Sequence, residues 1–173
     1  MGVIQGAHDV CPGDSLRLSI DASGWLPSRS PTYQWFVDGQ PVGGATASAF
    51  IVPTVLGGRT LAVAVRVADG EASVTSNAVS VTIKPLLPPV LRFTISPSVI
   101  EYGQKVTLLA DAEPSECGGR ATIRFSASDG TISGNIFDSS TVRSTERSVR
   151  ITANATDQKN SASSGKFVGG GAL

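Results

Sequence analysis

The chain has 173 residues, of which 40% are hydrophobic and 16% charged, with 14 Lys/Arg against 14 Asp/Glu. Split at Pro88, the balance is five Lys/Arg to six Asp/Glu before it and nine to eight after it, so neither half has a field that steers it to nucleic acid or an anionic membrane. No apolar run reaches the length of a membrane span, and 19 Gly with 10 Pro favour short strands and turns over long helices.

His8, Asp9 and Cys11 open the chain as a His-Asp-x-Cys cluster. A zinc site needs more ligands than these, and a nucleophilic thiol needs a rigidly oriented base, so the cluster reads as surface residues. Gly13 to Ala22 is a turn followed by a strand. The loop after it, Ser23 to Arg29, carries Trp25 and Arg29, the two candidate ligand-binding residues: an exposed Trp beside an Arg can stack on a sugar or anchor a protein partner. The alternative is that Trp25 folds back as a lid over the core.

Thr32 to Val37 places Tyr33, Trp35 and Val37 on one face and runs into the turn Asp38-Gly39. Ala49 to Val52 is a short strand. From Arg59 to Asp69, Leu61, Val63, Val65 and Val67 fall on every second position, the period of a half-buried strand, which ends in Asp69-Gly70. Ala78 to Ile83 is the last strand of this set.

The same pattern returns after Lys84-Pro85-Leu86-Leu87-Pro88-Pro89. Gly103 to Ala112 lies over Gly13 to Ala22, and Thr122 to Gly130 lies over Thr32 to Gly39. Arg147 to Asp157 lies over the long strand, with Val149, Ile151, Ala153 and Ala155 inward. The short strand falls near Ile132 to Phe137. The closing strand, around Ser164 to Val168, is weak because Gly and Ser dilute it. The chain is therefore all-β and double: residues 1–84, a Pro-rich linker at 85–89, and residues 90–173 ending in a Gly-rich tail. The prolines make the linker semi-rigid, and Leu86 and Leu87 are expected to be shielded between the domains. Trp35, Val65, Phe125 and Ile151 are the expected structural core.

Neither Cys11 nor Cys117 has a partner within its own repeat. Two free or peripheral thiols are expected, with a bridge crossing the domains as the alternative.

Tyr33-x-Trp35-x-x-Asp38-Gly39, the Leu56-Gly57-Gly58 corner and the Arg59 to Gly70 strand resemble strand C, the E to F corner and strand F of bacterial immunoglobulin-like, or PKD-type, repeats. The resemblance implies two tandem immunoglobulin-like β-sandwich domains, without the antibody disulfide, since Leu18 and Val65 stand roughly where its cysteines would be. The second copy, from Asp129-Gly130 to its closing Gly-rich stretch, is also similar to repeats that precede an outer-membrane-protein-A-type domain in bacterial envelope proteins.

Asp38, Asp69, Asp129 and Asp157 sit at turns, where turn propensity explains most of them, and Asp111, Glu113 and Glu116 form no acid pair across a cleft. No catalytic residue, metal site or cofactor is assigned, and the chain is read as not an enzyme. The expected function is a non-catalytic spacer and adhesive or ligand-presenting segment of a bacterial surface or secreted protein. The alternative is a carbohydrate-binding accessory module of a secreted enzyme. A protein or glycan partner is expected, with no nucleic acid and no membrane insertion by this segment. The expected state is a monomer or weak self-associate pairing through open strand edges, in an extracellular, periplasmic or outer-membrane-surface location. The opening Met1-Gly2-Val3, with no leader, is read as a segment of a longer secreted chain with its signal removed, with a cytosolic protein as the alternative.

Overall fold

The computed structural model describes residues 3–22, 30–55, 57–70, 72–143 and 148–170. It divides into two compact units, Met1–Leu86 and Leu87–Leu173. Among the described residues no helix is long and apolar enough to cross a membrane.

Unit one consists of β1 (Ile4–Gln5), β2 (Leu16–Ile20), β3 (Thr32–Val37), β4 (Gln40–Pro41), β5 (Ala49–Val52), β6 (Arg59–Asp69), β7 (Ala72–Thr75) and β8 (Val79–Ile83). One sheet has the order β1-β2-β5, and the other β4-β3-β6-β7, with β8 also on β6. Alternation sends Leu16, Leu18, Phe50 and Val52 from the first sheet against Trp35, Val63, Val65, Val67 and Val81 from the second. Trp35 is 0% exposed. Its ring stacks on Phe50 at 5.4 Å, and its indole N–H donates to the Ala47 carbonyl at 2.8 Å, so the polar end of the side chain is satisfied as well as the apolar body. Leu18 and Val65 are both fully buried.

Asp38 and Gly39 have φ of 50° and 77°, and Val37 pairs with Gln40. Two successive positive φ values make a two-residue hairpin whose twist matches the strands it joins. The Asp69-Gly70 turn is shifted by one residue, since β6 still pairs at Asp69 with Ala72. The last strand, β8, falls within the expected Ala78 to Ile83, and a separate strand, β7, precedes it. β7 and β8 both run along β6, and Ser76 bridges the break by donating its N–H to the Val65 carbonyl and accepting the Val65 N–H on its hydroxyl.

Unit two consists of β9 (Val90–Ser96), β10 (Val99–Ile100), β11 (Lys105–Glu113), β12 (Thr122–Ala127), β13 (Thr131–Ser133), β14 (Ile136–Asp138), a 3₁₀ turn at Ser139–Thr141, β15 (Ser148–Thr156) and β16 (Ser161–Gly170). Its sheets have the orders β13-β14-β11-β9 and β10-β16-β15-β12. Phe93, Val106, Leu108 and Phe137 meet Val149, Ile151, Ala153 and Val168 in its core. Each unit is thus two facing sheets around one apolar layer, and the chain is all-β with tandem immunoglobulin-like sandwiches.

Four expectations need correction. Phe125 is only half-buried, packed on Phe93 at 5.7 Å, because β12 is an edge strand with β15 on one side only. The closing strand is not weak. β16 pairs with β15 from Ser161 to Gly169, since ladder hydrogen bonds come from backbone groups that Gly and Ser also carry. Leu86 and Leu87 are 44% and 58% exposed and not shielded; they lie in residues 84–89, which join no strand. Finally, Cys11 and Cys117 are disulfide-bonded and not free thiols.

Candidate functional site

The residues nominated from sequence do not assemble into a described site. Trp25 and Arg29 lie outside the described residues. His8 is exposed, its Nδ1 2.8 Å from the Gly6 carbonyl, and the oxidation of Cys11 removes the only thiol beside it. Of the acidic trio, Glu113 pairs with Arg92 at 3.1 Å. Among the described residues no group of three or more His, Cys, Asp or Glu can hold a metal ion.

The turn aspartates act as local ties. Asp38 accepts the Ala62 N–H at 2.9 Å and lies 3.7 Å from Arg59. Asp157, at the end of β15, accepts the Ser115 hydroxyl at 2.7 Å and backbone N–H groups from Ser115, Lys159 and Asn160 at 3.1, 2.9 and 2.7 Å. The Ser115 hydroxyl leads these donors, which together outweigh burial and hold the carboxyl at about 2. With both oxygens facing donors, Asp157 pins the 114–121 loop to the turn before β16.

At the other end of β12 the chain forms a polar groove of about 720 Å³ lined by Tyr102, Ser128, Asp129, Thr131, Thr141 and Arg143, among others. Its walls are set by side chains that tie loops together. Asp129 accepts the Gly130 N–H on Oδ1 at 2.7 Å and the Arg143 N–H on Oδ2 at 2.9 Å. Asp138 begins the 3₁₀ turn by accepting the Ser140 N–H at 3.0 Å and the Ser140 hydroxyl at 2.6 Å. Those bonds, helped by Lys105 at 3.3 Å, hold its carboxyl below the usual range. The buried Ser139 hydroxyl donates to the Gln104 carbonyl at 2.7 Å, fastening the same turn to the β10–β11 connection. Thr141 then accepts the Thr131 N–H at 2.7 Å, and the Tyr102 hydroxyl donates to the Ser140 carbonyl at 3.0 Å.

The Tyr102 ring is left 60% exposed beside these hydroxyls. A ring face, hydroxyls and a guanidinium suit stacking and hydrogen bonding to a polar ligand. They do not suit general-base chemistry, because Asp129 already has a backbone donor on each oxygen. This groove was missed from sequence. Its signals were the Tyr102-Gly103 and Asp129-Gly130 turns and the Ser139-Ser140-Thr141 cluster, which come together only after the loops fold.

No family model matches the chain, and no curated protein is significantly similar to it. Solved structures similar to it include the fibronectin(III)-like modules of Clostridium thermocellum CbhA, at 15% identity over 99% of this chain and 94% of that one, with a TM-score of 0.41. The titin domains z1z2 in complex with telethonin align at 16% identity over 98% and 97%, with a TM-score of 0.42. Three N-terminal domains of the outer capsid protein Hoc of bacteriophage RB49 align at 18% identity over 98% and 59%, also with a TM-score of 0.42. These likenesses concern fold alone, and none indicates an enzyme family.

Proposed function

We propose that this chain is a non-catalytic segment of a secreted or bacterial surface protein, one that spaces its neighbours and presents a ligand-binding end. The observation that carries the reading is the groove at Tyr102: an exposed ring among hydroxyls, whose one carboxylate is consumed by loop-forming backbone bonds. The disulfide-bonded state of Cys11 and Cys117 is compatible with an extracellular or periplasmic location. The PKD-type likeness and the placement ahead of an outer-membrane-protein-A-type domain belong to the same proposal, and sequencing the complete gene tests both.

A carbohydrate-binding accessory module is the second reading, favoured by the same Tyr102 platform. A glycan and protein array probed with the intact chain, its Tyr102→Ala variant and its Trp25→Ala variant separates the possibilities. Binding lost with Tyr102→Ala supports the groove, whereas loss only with Trp25→Ala moves the site to the 23–29 loop. No specific binding by the parent leaves a passive spacer.

A further inference from the structure

Strand alternation turns Arg124 of β12, Arg150, Thr152 and Asn154 of β15, and Ser163 and Phe167 of β16 to the outer face of one sheet in unit two, opposite the buried Ile151 and Ala153. No Asp or Glu of these three strands shares that face. Elsewhere the cations Arg59, Arg92 and Lys105 each lie beside a carboxylate. Among the described residues the guanidiniums of Arg124 and Arg150 do not. Two cations on a face without acids leave an unmatched positive field.

Arg150 is held in a defined position. Its guanidinium lies over the Phe167 ring, 5.8 Å from the centroid. Gly165 keeps the way open, since a Cβ at that position would come within 2.9 Å of the Arg150 Nε. Phe167 is 62% exposed, so the ring is presented to solvent together with the guanidinium stacked on it.

Arg124 pairs with Asn154, four residues along β15 from Arg150. With a rise of about 3.4 Å per residue and about 4.8 Å between strands, the two arginine backbones stand about 14 Å apart. Thr152 and Asn154 lie between them.

We infer that this face binds an anionic polysaccharide, a sugar polymer bearing carboxylates or sulfates. The two arginine backbones stand about 14 Å apart, and a polymer with repeated anions can engage both guanidiniums at once. The intervening hydroxyl and amide groups match sugar hydroxyls, and the exposed ring can face an apolar side of a sugar. A nucleic-acid duplex fits less well, because its phosphate density calls for a broader basic surface than two arginines. The inference goes beyond the spacer reading and concerns the outer sheet face, which adjoins the Tyr102 groove at Ser128, the residue bonded to Arg150.

The test is affinity electrophoresis of the intact chain through gels containing alginate, dextran sulfate or neutral dextran, with random-sequence duplex DNA as a competitor. The expected result is retardation by one or both acidic polymers that weakens as salt rises. Retardation should fall roughly tenfold for each guanidinium removed in Arg124→Gln and Arg150→Gln. Gly165→Ala should weaken it without changing the net charge, by displacing the Arg150 side chain. Melting curves of these surface variants should match the parent. The inference is overturned if neither polyanion retards the chain, if neutral dextran retards it equally, if DNA competes as strongly as free polyanion, or if the double arginine variant binds like the parent. Tyr102→Ala should leave polyanion binding unchanged, so this site and the groove fail or stand separately.

Discussion

The two units use the same strand to different ends. In unit one the aromatic strand β3 is covered on both edges: β6 pairs along one side, and on the other the Trp35 N–H donates to the Ala45 carbonyl while the Trp35 carbonyl accepts from Val42. Gln34 adds side-chain bonds to the Trp35 and Val42 carbonyls at 2.9 and 2.8 Å. In unit two the chain leaves the Asp129-Gly130 turn for the opposite sheet, where β13 pairs with β14. The outer edge of β12 at Phe125 consequently has no backbone partner among the described residues. One local choice after an Asp-Gly turn thus decides whether the aromatic is sealed or half open. The same choice creates the groove, whose floor is the turn that crossed over.

The largest separation between the units is expected on truncating their aromatics. Trp35→Ala removes a fully buried ring and should destabilise unit one by about 3–5 kcal/mol, a large share of a small domain's stability. Trp25, the tryptophan left in that variant, lies in unit one, so its fluorescence follows that unit, while circular dichroism follows both. Early loss of fluorescence with part of the dichroism retained is expected; simultaneous loss of both would show that the units do not unfold independently. Phe125→Ala should cost about half as much, because the ring is already partly in water.

The two Asp-Gly turns sharpen the comparison. Gly39 and Gly130 have φ of 77° and 80°, so Ala strains the backbone at either by about 1–2 kcal/mol. At Gly39 an added Cβ meets nothing, but at Gly130 it would come within 2.8 Å of the Phe137 ring in the core. Gly130→Ala should therefore lower denaturation midpoints more than Gly39→Ala. Equal effects would mean that the core at Phe137 yields freely.

A smaller effect, confined to unit two and dependent on pH, is expected at Asp157. Its carboxyl sits at about 2 when folded against an ordinary 3.8, so its contribution is fully present above about pH 4 and is lost as pH falls through about 2. Asp157→Asn should melt at lower temperature than the parent near neutrality, and the two should converge in strong acid. A constant difference across that range would assign the effect to shape instead of charge.

The weakest effect concerns the open edge. Ser128 donates to the Arg150 carbonyl, and the antiparallel alternation that follows points the backbone groups of Ile123, Phe125 and Ala127 away from β15. Ala127→Pro removes an outward N–H, and any self-association at high concentration, read by light scattering, should weaken. Association that persists unchanged would locate the contact elsewhere.

Much of the architecture was legible because strand alternation is a local property. Leu61, Val63, Val65 and Val67 are all buried on β6, as their spacing requires, and Ile151 is fully buried on β15. Short strands such as β1, β4 and β10, at two residues each, carry no readable period. The candidate site was less legible: Tyr102, Asp129 and Thr141 come from three separated segments, none with a motif of its own.

Composition and alternation by themselves determined an all-β chain, its duplication, and which face of each long strand turns inward, because these follow from side-chain polarity along one strand. Only the tertiary structure decided the oxidation of Cys11 and Cys117, the burial of Trp35 against the exposure of Phe125, the binding of Asp157 by four donors, and the gathering of Arg124 and Arg150 on a face without acids. Each depends on which strands become neighbours. That is settled by backbone pairing and loop closure between residues far apart in the chain, where the polarity of any one stretch carries no information.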